Sequence, residues 1–264
     1  TIVLKAHQIG FSTLAAAFVF WETFFWKDRF IIMLSRTERE AMKLLQKSKY
    51  GFKFLPKWMI LRGPSIIDNN QLKMSFSNAS AIESLPSGND PARGESVYLV
   101  IVDEWAFLPN AEEAWASIEP VTDVGGRVIG LSTANGSGNF YHELWVGSQT
   151  NANKFKGIFF PWSADGERNQ DWYDAKAANM HPWQLHQEYP TFPEEAFIKS
   201  GNPVFDIQML DDMSIVEPSR GYYHLYSDGN GEFRYSDNGE LHVWAFPQKE
   251  SVYVIGADVA EGLS

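Results

Sequence analysis

The chain opens on a mostly apolar, partly β-branched segment, Thr1 to Lys5, which predicts a short buried strand. A glycine-containing turn follows. From Ser12 to Trp26 the run including Leu14, Ala15, Ala16, Ala17, Phe18, Val19, Phe20 and Trp21 leaves little polar face, which predicts a helix buried on all sides. Phe30 to Leu34 reads as a second strand. Glu38 to Ser48 reads as an amphipathic helix, with Ala41, Met42, Leu44 and Leu45 on one side and Arg39, Lys43 and Lys47 on another. Lys57 to Ile82 has the texture of short strands and turns. Val97 to Val102 is continuously apolar, as a strand covered on both faces of a parallel sheet would be. Ala111 to Ile118 and Phe140 to Val146 predict helices, with a strand over Arg127 to Leu131 between them. This alternation argues for an α/β, doubly wound, mostly parallel sheet.

Beyond about Gly166 the pattern changes. Asp171 to Asn179 and Pro182 to Tyr189 predict short helices. Past Gly201 come short aromatic strands at Tyr222–Tyr226, Phe233–Tyr235 and Leu241–Trp244. The turns Asp228-Gly229-Asn230-Gly231 and Asp237-Asn238-Gly239 between them carry hairpin signals. Val252 to Asp258 reads as a last strand ending in a carboxylate.

The composition, 44% hydrophobic and 21% charged over 264 residues, is that of a globular protein rather than a disordered one. The absence of Cys excludes a disulfide-stapled fold. The apolar-looking stretch from Ala6 to Trp21 falls short of the roughly 20 residues that span a bilayer, and no signal-peptide pattern opens the chain. The net charge of -11 argues against a simple nucleic-acid coat. It is unevenly spread, however: residues 1–100 sum to +5 and the remainder to -16, so one surface can meet a polyanion.

Four stretches can carry chemistry. Lys5-Ala6-His7-Gln8-Ile9-Gly10-Phe11-Ser12-Thr13 joins a strand to a helix, where N–H groups and the helix dipole attract phosphate. Gly10 and Ser12 fit the usual phosphate-loop spacing. Phe11 stands at the lysine position, no glycine opens the loop, and Lys5 offers a cation at its start; an ordinary turn is the other reading. Asp103 and Glu104 end the apolar strand, at the edge where parallel sheets bind ligands. Asp103 can hold Mg²⁺ and Glu104 can polarise a water, or the two can simply cap the next helix. Ser132-Thr133-Ala134-Asn135 follows the next strand and either senses a γ-phosphate or forms a turn. Arg93, in the loop Asp90 to Ser96, is either a surface residue or an arginine finger. Asp258, with Glu261 nearby, is placed like the first ligand of a two-metal nuclease site, though the further carboxylates such a site needs are not evident.

Taken together, these motifs in this order resemble the large terminase subunit of tailed bacteriophages, the DNA-packaging motor. Lys5 to Ser12 resembles that family's deviant phosphate loop, Val97 to Glu104 its acidic ATPase strand, and Ser132 to Asn135 its coupling motif. His186 to Pro190 followed by Glu194 to Phe197 resembles a stretch between its ATPase and nuclease parts, and Ile255 to Gly262 the first strand of its RNase H-like nuclease. His7 stands where the family usually has Arg.

The resemblance implies a P-loop NTPase-type ATPase domain over residues 1–200, a linker with short strands over 201–250 and a truncated nuclease domain from 251–264. It implies ATP and Mg²⁺ as ligands. Lys5, His7, Gln8, Gly10, Phe11, Ser12 and Thr13 would bind nucleotide, and Ser12 and Asp103 the metal. Glu104 would be the base, Arg93 a finger acting between subunits, and Ser132, Thr133, Ala134 and Asn135 the coupling segment. Asp258 would belong to an incomplete nuclease site for Mg²⁺ or Mn²⁺, so nuclease activity is not expected of this chain. Double-stranded DNA, a portal protein, a small terminase subunit and a homo-oligomeric ring, a pentamer, are the implied partners, in the host cytoplasm. A helicase-like motor and a catalytically weakened assembly module are the rival readings.

Overall fold

The computed structural model describes residues 1–88, 96–197, 218–227, 230–246, 248 and 252. Arg93, Asp258, Glu261 and the predicted last strand beyond Val252 lie outside these. The chain divides into two units, Thr1–Asn202 and Pro203–Ser264.

In the first unit, β1 (Ile2–Lys5) leads into α1 (Phe11–Phe25), followed by β2 (Phe30–Ser35), α2 (Glu38–Lys53) and α3 (Lys57–Arg62). Next come β3 (Ile66–Asn69), β4 (Lys73–Phe76), β5 (Ala81–Pro86) and β6 (Leu99–Asp103). Then α4 (Ala111–Asp123), β7 (Arg127–Ser132), α5 (Phe140–Gln149) and β8 (Gly157–Phe160) complete the layered part, and the short helices α6 (Gln170–Ala177), α7 (Pro182–Glu188) and α8 (Pro193–Ala196) follow. The sheet order is β3-β4-β5-β2-β6-β7-β1-β8. The strands from β5 to β8 in that order are all parallel, and β4 and β3 extend the sheet by antiparallel pairing.

Strand alternation divides the core between the two faces. Ile2, Leu4, Ile32, Leu34, Val100 and Val102 point to one side, where Ala114, Ile118, Tyr141 and Trp145 of α4 and α5 cover them. Val3, Ile31, Met33, Leu99 and Ile101 point to the other, under Ala16, Val19, Phe20, Leu44 and Leu45 of α1 and α2. Each such side chain removed from water contributes about 1.5–3 kcal/mol. The doubly wound expectation therefore holds, and its cause is the period-2 pattern within runs that look uniformly apolar.

Three expectations are corrected. First, α1 is not buried on all sides: Leu14, Trp21 and Phe25 are exposed, while Ala15, Ala16, Val19, Phe20 and Phe24 face the sheet. Its composition hides a one-sided helix because the outward positions are apolar too. Second, residues 57–62 form a helix, not a strand. It starts after Pro56, whose carbonyl accepts from the N–H groups of Met59 and Ile60. Third, in the second unit the strands β9 (Ser219–Leu225), β10 (Gly231–Tyr235) and β11 (Leu241–Val243) are ordered β10-β9-β11. Asp237-Asn238-Gly239 therefore carries the chain past one end of β9 rather than closing a hairpin between β10 and β11. Ser236 N–H donates to the Arg220 carbonyl (2.9 Å) on the way.

Candidate active site

Three strand ends define one edge of the sheet. Lys5 is the last residue of β1, Asp103 of β6 and Ser132 of β7, and these strands are parallel neighbours in the order β6-β7-β1. This is the edge at which open α/β sheets bind ligands.

The helix that starts there is left open. α2 begins with a capping box, in which Thr37 accepts from Glu40 N–H, and α5 is capped by Asn139, which accepts from His142 N–H. α1 has Gly10 at its N-cap, with φ 80°, no side-chain cap and no acid in its first turn. A side chain is disfavoured at that φ, and there is open space where a Cβ would stand. The N–H groups of Gln8, Ile9, Gly10, Phe11 and Ser12 have no protein acceptor among the described residues. Consecutive free N–H groups ahead of a helix dipole form a phosphate cradle.

Two contacts join this loop to the acidic strand across long sequence distances. Lys5 Nζ lies 2.9 Å from Glu104 Oε1, with the lysine side chain only 5% exposed. Ser12 Oγ donates to Asp103 Oδ1 at 2.9 Å. Burial is the main cause that raises the Asp103 carboxyl to about pKa 6, with the Glu104 charge adding to it. The Ser12 hydrogen bond and the Lys5 and Lys47 charges oppose the rise. Glu104 adopts φ 50°, a left-handed conformation rare for a residue with a Cβ. The backbone thus turns sharply between the two acids.

Behind them, Trp105 is fully buried and seated against Gly130, where a methyl group would lie 2.1 Å from the indole. The predicted segment after β7 clamps the same turn. Ser132 Oγ accepts from Ala106 N–H (3.1 Å), and Asn135 Nδ2 donates to the Ala106 carbonyl (3.0 Å). Ser132, Thr133 and Ala134 are buried.

Two predicted loop residues spend their side chains on the protein. His7 Nδ1 lies 3.0 Å from Glu188 Oε2, and the Phe11 ring packs on Phe160 at 4.6 Å between centroids. What these positions can offer a ligand is backbone. Arg39, Lys43 and Lys47 are exposed on α2, as a basic stripe requires. Sequence reasoning missed Arg168, whose Nη1 and Nη2 donate to the carbonyls of His7 and Gln8 at 3.0 and 3.1 Å. A lone arginine in a polar turn carries no motif, and only the fold reveals what it reaches.

This donor set suits a Mg²⁺-nucleotide. A cradle of N–H groups and a buried lysine match phosphate charge, and a hydroxyl beside a carboxylate is the modest protein share that Mg²⁺ takes when phosphates and waters supply the rest. Among the described residues no helix is long and apolar enough to cross a membrane.

Residues 2–192 match the family described as terminase large subunit, T4likevirus-type, N-terminal. Among solved structures, the large terminase ATPase domain of Thermus phage P74-26 is similar at a TM-score of 0.57 with 18% identity, over 75% of this chain and 88% of that one. The HK97 bacteriophage large terminase is similar at 0.52 with 14% identity, over 88% of this chain and 58% of that one. A thermophilic bacteriophage large terminase in complex with ATP-gamma-S matches at 0.50 with 12% identity, over 68% of this chain and 44% of that one. At these identities the likeness is one of fold, and the chain spans about half the length of the latter two proteins.

Proposed function

The chain belongs to the large terminase subunits, T4-like type, the ATPase motors of viral DNA packaging, and on that premise we propose that its β1–α1 loop and β6 end form the ATP-hydrolysing site. The observation that carries this reading is the pair of 2.9 Å contacts, Lys5 to Glu104 and Ser12 to Asp103, which close one polar cluster from residues 99 and 91 positions apart. Similarity to a large terminase in complex with ATP-gamma-S supports the choice of nucleotide.

In this reading the N–H groups of residues 8–12 receive the phosphates. Lys5 exchanges its Glu104 partner for phosphate oxygen, so nucleotide arrival frees the glutamate. Ser12 and Asp103 hold Mg²⁺, which when bound neutralises charge on the transferring phosphoryl group. Glu104 accepts a hydrogen bond from the attacking water at its carboxylate and takes the proton as the water oxygen bonds to the γ-phosphorus and the bridging β–γ P–O bond breaks, with ADP as the leaving group. Ser132 and Asn135, through Ala106, transmit movement of the acidic turn to β7 and α5. Arg93 is proposed as the finger that completes a neighbouring subunit's site, and Asp258 as part of a nuclease site. Double-stranded DNA, the portal, a small subunit and a ring of copies are the proposed partners. Family membership favours packaging over the helicase-like alternative. His7 and Phe11 engage Glu188 and Phe160 with their side chains, so in this reading they contribute backbone, not charge, to the loop.

Calorimetry with ATP-gamma-S and a turnover assay test the site together. Lys5→Ala is expected to lose most nucleotide affinity. Glu104→Gln is expected to bind but hydrolyse about 10²–10⁴-fold more slowly. Unchanged binding in the first variant, or unchanged turnover in the second, refutes the assigned roles.

A further inference from the structure

Arg168 lies far from the motifs in sequence and touches none of the four polar side chains of the site, yet it grips the phosphate loop from outside. Its guanidinium uses all three nitrogens. Nη1 and Nη2 donate to the successive carbonyls of His7 and Gln8, and Nε lies 3.1 Å from Asp165 Oδ2. Its side chain is 9% exposed and stands 4.7 Å from the Trp172 ring centroid. Asp165 is itself fixed in the turn, accepting from the N–H groups of Glu167 and Arg168. The group is therefore held before it holds anything else.

The consequence follows from peptide geometry. Among the described residues the peptide bonds are all trans, so the C=O and N–H of one peptide point in opposite directions. A carbonyl of His7 turned to Arg168 directs the Gln8 N–H away from it, and a carbonyl of Gln8 likewise directs the Ile9 N–H away. Both N–H groups belong to the set without protein acceptors. Gln8 also carries φ 57°, a conformation unfavourable for a non-glycine residue and one that needs a constraint to persist. A planar fork reaching two successive carbonyls is that constraint, and a lysine cannot reproduce it.

We propose that Arg168 is a positioning residue for phosphate binding: it fixes the peptides of His7 and Gln8 so that the N–H groups following them face the phosphates. This rests on the loop being the nucleotide site, and the test separates the two claims. The affinity of ATP-gamma-S with Mg²⁺ is measured by calorimetry for the parent, Lys5→Ala, Arg168→Lys and Arg168→Ala, each with its melting temperature without nucleotide. Steady-state hydrolysis supplies KM and kcat.

Arg168→Ala is expected to weaken binding roughly ten- to a hundred-fold, the scale of losing charge-assisted hydrogen bonds. KM should rise in step and kcat should stay within a few-fold, while the melting temperature should fall only modestly, since the same bonds are made without nucleotide. Arg168→Lys should recover only part of the affinity. Binding within twofold of the parent in Arg168→Ala, with Lys5→Ala impaired, overturns the role of Arg168 and leaves the site standing. Binding unchanged in Lys5→Ala removes the site, and the role of Arg168 with it. If Arg168→Ala does not fold, Arg168→Lys decides alone: parental affinity in that variant overturns the proposal.

Discussion

Asp103 is buried against a second acid and relieved by one hydroxyl and two lysine charges, and the balance leaves its carboxyl raised to about 6. A pKa above the ordinary carboxylate value means that the folded chain binds this proton more tightly than the unfolded chain does. The stability it contributes is complete below about pH 4 and is lost as pH rises through about 6. Asp103→Asn cannot ionise and still accepts from Ser12. It should be more stable than the parent above pH 6, by on the order of 3 kcal/mol, and equal to it below about pH 4. Denaturant unfolding across that range checks this; parallel stability curves contradict it. Lys5, Ser12, Asp103 and Glu104 were legible as separate residues, because strand ends and helix starts can be located by pattern. Their two mutual contacts were not, since pattern says nothing of which strand ends become neighbours. Arg168 was illegible for a different reason: its partners are main-chain carbonyls, which leave no mark in a sequence.

Among the elements, β7 and the turn after β6 depend on each other through Gly130. The Trp105 ring occupies the space a side chain there would need. Gly130→Ala should therefore cost about 3 kcal/mol by overpacking, and it should lower turnover as well, because displacing Trp105 moves Glu104 beside it. Chemical denaturation and the hydrolysis rate measure the two effects, and loss of stability without loss of turnover would separate the elements. The strands were the most readable parts, since runs such as Val97 to Val102 have few other uses. α3 was misread because six residues that include Trp58, Met59, Ile60 and Leu61 look like strand when the only helix signal is a preceding proline. β8 went unnoticed: its four residues are all half-buried and offer no alternation.

For the whole chain, a net charge of -11 coexists with a basic first hundred residues. If DNA engages the basic region, its binding must release counterions, so stimulation of hydrolysis by DNA should fall steeply between 50 and 200 mM salt, by roughly 10³-fold in DNA affinity for six phosphate contacts. Nucleotide affinity without DNA should change far less. Titration of DNA at several salt concentrations checks this, and a salt-independent stimulation would exclude a phosphate-backbone contact. The change of texture after about Gly166 was readable, whereas the β10-β9-β11 order was not, because turn composition does not say which side of a strand the chain will return to. Between the strand that ends in Lys5 and the strand that ends in Asp103 lies β7, which brings no charged group to that edge. It acts as a gauge block, setting the width of the gap at two strand spacings, roughly 9–10 Å, through its own hydrogen-bond ladders. The tolerance of the machine is thus kept by a part that brings no charge to its chemistry.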